Sequence, residues 1–168
     1  MVYYAKDDPL KPKSYDSGID VRVGVPGSGD LMLIQGPLVV DLKHWKSFIL
    51  LGIENSSIEF YNSLSMSRVD LWVKANIHVR GNPNWRFIKL HTHGAYIANT
   101  KIFLGDGIKK IYSYLGREYN DGANYCLHYV TAREAYNIIK AAEAGLSGDP
   151  NQYRDYLIKP YKNTKQMS

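Results

Sequence analysis

The stretch Trp85-Arg86-Phe87-Ile88-Lys89-Leu90-His91-Thr92-His93-Gly94 limits the possible folds of this chain more than any other. Its apolar run predicts a buried strand over 85–91 that ends in two histidines and a glycine. Strand side chains alternate between faces, so Phe87, Lys89, His91 and His93 share one face, while Arg86, Ile88, Leu90 and Thr92 share the other. Two imidazoles and an ammonium on one face are costly to bury without partners. The C-terminal end of a parallel strand is where α/β enzymes carry their chemistry. The stretch therefore reads as the corner of a site on an α/β scaffold.

The flanking pattern agrees with that scaffold. Ser67 can cap a helix from about 68 to 78, with Val69, Trp72, Val73 and Asn76 on one face. Gly81-Asn82-Pro83 ends it. Asn99 to Gly105 reads as a loop or a first helical turn. Ile108, Ile111, Tyr112 and Leu115 form a helical stripe, stopped by Asn120-Asp121-Gly122. Tyr125-Cys126-Leu127-His128-Tyr129-Val130 reads as the next strand. Thr131-Ala132-Arg133-Glu134 is a capping box. It opens a helix over about 132–144, with Ala135, Ile138, Ile139 and Ala142 inward and Gly145 past its end. Asp149-Pro150 starts a last short helix. Helix, strand, helix, strand, helix with short links predicts βαβ units and a parallel sheet under helices, so residues 66–158 read as α/β.

The first half is less regular. Met1 to Ala5 reads as the interior of a strand, residues 6–20 as an irregular loop, and Val21, Val23 and Val25 as a short strand. Leu31-Met32-Leu33-Ile34-Gln35 reads as another, and residues 38–64 show no clear period. The expectation is a single α/β domain over 1–158 with a basic flexible tail over 159–168. A chain that opens inside an element also raises the expectation of a fragment of a longer protein.

At 168 residues, 45% of them hydrophobic, the chain can bury a core of ordinary size. The formal charge of +5 is scattered, with small clusters at Lys11-Pro12-Lys13 and in the tail. There is no arginine-rich helix, zinc-finger spacing or ribonucleoprotein motif, which argues against a nucleic-acid partner. The single cysteine, Cys126, excludes an intramolecular disulfide and a cysteine-based zinc site, and its apolar setting predicts a buried, inert thiol. No apolar run approaches the roughly 20 residues needed to span a membrane. No signal peptide opens the chain, so a cytoplasmic location is expected.

Of the five histidines, His44 and His78 read as ordinary surface or helix-end residues and His128 as a satisfied, partly buried one. His91 and His93 differ because both rings can point at one small volume from a strand end. Three readings stay open for them. The H-x-H spacing occurs in metal sites, where neutral imidazoles bind zinc or a similar ion. Further ligands would be needed, and Asp16, Asp20, Asp41 and Asp106 are not fixed to the site by spacing. The second reading is acid–base catalysis, with Lys89 favouring an anionic group nearby. The third is hydrogen bonding to loop backbone that holds the turn at Gly94. A nucleophile mechanism lacks a base near Cys126 and a G-x-S-x-G elbow. Gly24-Val25-Pro26-Gly27-Ser28-Gly29 lacks a nucleotide-binding pattern and reads as a turn. The 14 tyrosines and three tryptophans include candidates for stacking on sugar rings, although most belong in a core or on a helix surface.

The run from Phe87 to Gly94, the later run Leu127-His128-Tyr129-Val130-Thr131-Ala132-Arg133-Glu134-Ala135-Tyr136, and the early Tyr3-Tyr4-Ala5 with Asp7-Asp8-Pro9, Pro12-Lys13-Ser14, Asp16 and Gly18 together carry a resemblance. The chain resembles the C-terminal end of polysaccharide deacetylase-like proteins of the NodB-homology, glycoside hydrolase/deacetylase barrel type. The resemblance implies a partial (β/α) barrel of the deacetylase type, with a β-and-loop N-terminal part followed by helix-strand-helix-strand-helix. It implies metal-dependent hydrolysis of acyl groups on carbohydrate in the full-length form, with a divalent metal, most often zinc. In that family an Asp of an early T-F-D-D-G-type motif and two His of an H-x-x-x-H motif hold the metal. A further Asp is the base, and a late strand-end His, preceded by a pocket leucine, is the acid.

His91 matches the late histidine. It would protonate the leaving amine or alkoxide, while His93 would orient it or contact the metal. Lys89, Asp16 and Arg22 would touch the substrate. Lys89 stands in place of the pocket leucine, Thr92 replaces a common Asp, and the T-F-D-D-G-type and H-x-x-x-H motifs do not occur in this sequence. Without those ligands a metal hydrolase cannot activate its water. The chain alone is therefore expected to be inactive, with a missing N-terminal half-barrel as its partner. The competing expectation is a non-catalytic carbohydrate-binding or structural module.

Overall fold

The computed structural model describes residues 1–41, 52–62, 64–94 and 96–161. His44, the apolar run Phe48 to Leu51 and the end of the expected tail lie outside the described residues. In chain order the elements are β1 (Val2–Ala5), β2 (Ile19–Asp20), β3 (Leu31–Ile34), β4 (Val39–Asp41), β5 (Gly52–Glu54), α1 (Met66–Lys74), β6 (His78–Val79), β7 (Asn82–Arg86), α2 (Ile97–Phe103), α3 (Asp106–Glu118) and α4 (Ala132–Glu143). A 3-10 turn over Pro150–Tyr153 follows. The fold is mixed α/β, with short sheets of order β2-β1-β3, β4-β5 and β6-β7. No closed barrel is present among the described residues. No described helix is long and apolar enough to cross a membrane.

Two compact units divide the chain. The first comprises Met1–Val2, Leu33–His78 and Arg86–Leu127. Its core is Val69 and Trp72 of α1 against Ile111 and Leu115 of α3, extended by Leu64, Leu90, Tyr114, Tyr119 and Leu127. The sequence stripe explains this directly, because residues three and four apart stack on one helix face. The hydroxyls of Tyr114 and Tyr119 both donate to Asp70 at 2.8 Å, which locks the end of α3 to α1. Burial and that carboxylate both push the Tyr119 hydroxyl up from its ordinary range. Strands β4 and β5 pair antiparallel, Val40 opposite Ile53.

The second unit comprises Tyr3–Met32, Val79–Trp85 and His128–Ser168. Helix α4 opens on the expected capping box, with the Thr131 side chain and Glu134 serving each other's backbone N–H. Its buried face is Ala135, Ile138, Ile139, Ala141 and Ala142. Within this unit Tyr3 pairs with Asp20 and Tyr4 with Ile19, antiparallel. The Tyr4 hydroxyl reaches Glu143 of α4 at 3.1 Å, and the Gly27 N–H donates to the same carboxylate at 2.8 Å. The Gly24–Gly29 turn is thus a docking loop for the end of α4.

The structure corrects several expectations. The strand expected over 85–91 is displaced toward the N-terminus: β7 covers Asn82–Arg86, after a turn at Gly81 whose φ of +96° suits glycine. Beyond Arg86 the Phe87 N–H donates to the Ile77 carbonyl at 2.7 Å, and His91 makes a single parallel bridge to Ser57. The strand expected over 125–130 does not form. The Asp121 carboxylate takes the N–H groups of Ala123, Asn124 and Tyr125, and Asn120 takes that of Leu127. Side-chain acceptors thus occupy the donors that a strand ladder would need. Cys126 is exposed rather than buried as a result. The helix expected over about 68–78 spans Met66–Lys74, with Ser65 rather than Ser67 at the N-cap, and it stops at Ala75, before Asn76 takes a φ of +48°. Val21 to Val25 forms isolated bridges, Arg22 to Val25 and Arg22 to Arg80, instead of a strand.

Candidate acid–base site

In the first unit, the loop that follows β5 folds around a buried ion pair. Glu54 and Arg68 have side chains only 4% exposed and meet at 2.6 Å. The Glu54 carboxylate also accepts the Arg68 Nη2 at 3.0 Å, the Trp72 indole N–H at 2.8 Å and the Ser56 N–H at 2.7 Å. Burial alone would raise the Glu54 carboxyl. The guanidinium and the two N–H donors outweigh it and hold the group below its ordinary value. Arg68 donates onward to the Ser57 carbonyl at 2.6 Å and the Asn62 carbonyl at 3.2 Å. The chain from Ser56 to Asn62 is thereby pinned to helix α1.

That pinned loop carries the histidines. The Ile58 N–H donates to the His91 carbonyl at 2.8 Å, and the His91 N–H donates to the Ser56 carbonyl at 3.2 Å. His91 Nδ1 lies 3.3 Å from Ser56 Oγ. Two residues on, Glu59 Oε1 accepts the His93 backbone N–H at 2.7 Å and contacts His93 Nδ1 at 2.8 Å. Glu59 Oε2 accepts Asn99 Nδ2 at 2.6 Å. Asn99, buried at the start of α2, also approaches Thr92 Oγ1 at 3.1 Å and the His93 carbonyl at 3.2 Å. The His93 backbone N–H is the main cause of a Glu59 carboxyl held down to about 2; burial opposes it, and the Asn99 amide and the His93 ring add to it.

The arrangement suits proton transfer. The Glu59 side chain is 3% exposed and the His93 ring 78% exposed. A carboxylate on Nδ1 fixes that nitrogen as the N–H donor and leaves Nε2 of an open ring to take or give a proton. The His91 and His93 rings stand 6.3 Å apart, centre to centre, and nearly perpendicular. Among the described residues no group of three His, Cys, Asp or Glu side chains can hold a metal ion. Glu59 on His93 Nδ1 leaves Nε2 as the free nitrogen of that ring, and two histidines are fewer ligands than a zinc centre takes.

Of the other expected site residues, Lys89 is exposed on the irregular stretch before His91. No described hydrogen bond joins it to either histidine. Asp16 and Arg22 are in the second unit, where with Tyr15, Gly18, Ile19 and Asp20 they line a hollow of about 410 Å³. Asp20 there pairs with Arg80 at 2.5 Å. His128 is partly buried, 3.8 Å from Asp149, and His78 contacts the Asn76 carbonyl at 2.6 Å, so both have local partners. Sequence reasoning missed Glu54, Glu59, Arg68 and Asn99. Only Arg68 left a signal: it shares the inward face of α1 with Trp72, one turn away, where a charge demands a buried partner.

Comparison of the chain with family models, with curated proteins and with solved structures finds no match in any of the three.

Proposed function

We propose that this chain is the C-terminal part of a polysaccharide deacetylase-like hydrolase, a partial (β/α) barrel that supplies the acid–base wall of a site for removing acyl groups from carbohydrate. The observation that carries this reading is the Glu59–His93 pair, with a buried carboxylate at 2.8 Å from Nδ1 of an exposed imidazole. His93 then donates a proton from Nε2 to the departing amine or alkoxide, and Glu59 stabilises the imidazolium. The motif resemblance alone gives that role to His91, and the carboxylate partner supports His93 instead. His91 is the second polar group on the wall, and Lys89 an exposed cation before it. Asp16 and Arg22 are polar sugar contacts in the hollow of the second unit. The divalent metal of such hydrolases, zinc by the same resemblance, is assigned to ligands outside the described residues.

The test is acetate release from acetylated oligosaccharides with and without added zinc. The product of the intact gene is expected to turn over with zinc, and this 168-residue chain alone is expected to release none. Robust turnover by the chain alone would overturn the divided site. The exposed Phe60, Tyr61 and Tyr96 rings favour a second reading, a carbohydrate-binding module without chemistry. Binding of oligosaccharide with no hydrolysis by the intact product would select it.

A further inference from the structure

Three large aromatic side chains stand open to solvent on the two segments that hold Glu59 and His93. Phe60 is 55%, Tyr61 69% and Tyr96 62% exposed. The Phe60 and Tyr96 rings stack on each other, within 9° of parallel and with centres 6.0 Å apart. Tyr61 meets Phe60 edge-on at 5.2 Å. Single exposed aromatics need no explanation, whereas three exposed rings in mutual contact are a candidate binding surface.

The cluster is also held from below. The Phe60 N–H donates to Asn99 Oδ1 at 2.9 Å, and the Asn99 N–H donates to the Tyr96 carbonyl at 2.9 Å. Asn99 is 4% exposed, and its amide nitrogen is the group that fixes Glu59. One buried residue thus touches both segments: its side chain holds Phe60 and Glu59, and its backbone N–H holds Tyr96. A surface fixed before its ligand arrives loses little entropy on binding.

We propose that the ring faces left exposed by the stacked Phe60–Tyr96 pair receive a pyranose ring of the glycan chain. The proposal rests on the carbohydrate reading above and adds the residues that recognise the sugar. A chair-form hexose with equatorial substituents presents axial C–H groups on each face. Those hydrogens carry partial positive charge and match the negative face of an aromatic ring. The sugar's hydroxyl rim needs hydrogen-bonding groups at the platform's edge. The phenol hydroxyls of Tyr61 and Tyr96 are available chemistry for it, and Thr92 and His93 are tied to the same Asn99. A protein partner would use the same apolar area without needing flat rings, and Ile97, 84% exposed next to Tyr96, is the residue that such a partner would bury.

The experiment is binding of a β-linked N-acetylglucosamine tetrasaccharide to the full chain, followed by saturation-transfer NMR and calorimetry. The expected result is transfer to the axial ring protons of the sugar, more than to its acetyl methyl groups. Phe60→Leu and Tyr96→Leu are each expected to weaken binding about fivefold, because leucine keeps apolar area and loses the ring face. Both sites are exposed, so an unchanged thermal melt verifies that the variants are folded. No binding by the wild-type chain at millimolar sugar would overturn the platform. Binding that both leucine variants retain would overturn it too, by placing the sugar elsewhere. Failure of the hydrolysis reading is a separate outcome: the intact gene product would bind sugar through Phe60 and Tyr96 and release no acetate.

Discussion

Glu59 grips His93 at two points, accepting its backbone N–H at 2.7 Å and its ring Nδ1 at 2.8 Å. The first contact fixes the backbone at His93, and the second fixes which way the imidazole faces. One buried carboxylate therefore sets both the position and the proton inventory of the exposed ring.

A pH dependence follows from this grip. The Glu59 carboxyl falls from an ordinary 4.5 to about 2 in the folded chain. A depressed folded value means that the stabilisation is fully present above 4.5 and is lost as pH falls through about 2. Urea midpoints of the wild type and Glu59→Gln are expected to differ most above that window and to converge within it. A constant gap from neutral pH down to the lower limit would show that the carboxylate charge contributes nothing.

The Glu54–Arg68 pair makes the sharpest stability prediction. Both side chains are 4% exposed, so Arg68→Met strands a buried carboxylate with fewer donors. The expected cost in chemical denaturation is about 3–5 kcal/mol. The double variant Glu54→Gln/Arg68→Met is expected to lose less than the sum of the singles, since it leaves no unpaired charge. Strict additivity would mean that the pair does not act as a unit.

Local signals in the sequence were legible where one segment determined the outcome. Thr131 and Glu134 cap α4 as their spacing requires, and Ile108, Ile111 and Leu115 bury as their period requires, while Tyr112 of the expected stripe is exposed. The strand expected over 125–130 failed because the Asn120 and Asp121 side chains compete for its backbone donors, which composition and alternation do not register. The candidate site was half legible. His91 and His93 stood out by their place at the end of an apolar run. Glu59 and Asn99 did not, because they reach His93 across 34 and 6 residues of chain and lie in stretches without periodicity.

Gly27 predicts the consequence of crowding the second unit. A Cβ at this position would fall within the van der Waals surface of the buried Tyr4 ring and 2.8 Å from Glu143 Oε1. Gly27→Ala is expected to cost about 1–3 kcal/mol, as overpacking does, and to lower the melting temperature. An unchanged melt would show that the loop moves away from Tyr4 at no cost.

The capping box gives a smaller effect. Thr131 accepts the Glu134 N–H at 3.3 Å at the start of α4. Thr131→Ala is expected to destabilise the chain by about 1 kcal/mol, and Thr131→Ser by much less, in the same denaturation measurement. Equal losses would point to the threonine methyl rather than the cap.

The most direct test of the proposed function is the rate of acetate release, with added zinc, from an N-acetylated oligosaccharide by the longer protein that the proposal supposes, compared with its His93→Ala and Glu59→Gln variants. Removing a proton-transfer group is expected to lower kcat by about 10²–10⁴ in His93→Ala. Glu59→Gln is expected to fall between that variant and the wild type, with oligosaccharide binding retained in both. Wild-type turnover that survives His93→Ala unchanged, or a wild type that releases no acetate, would contradict the account.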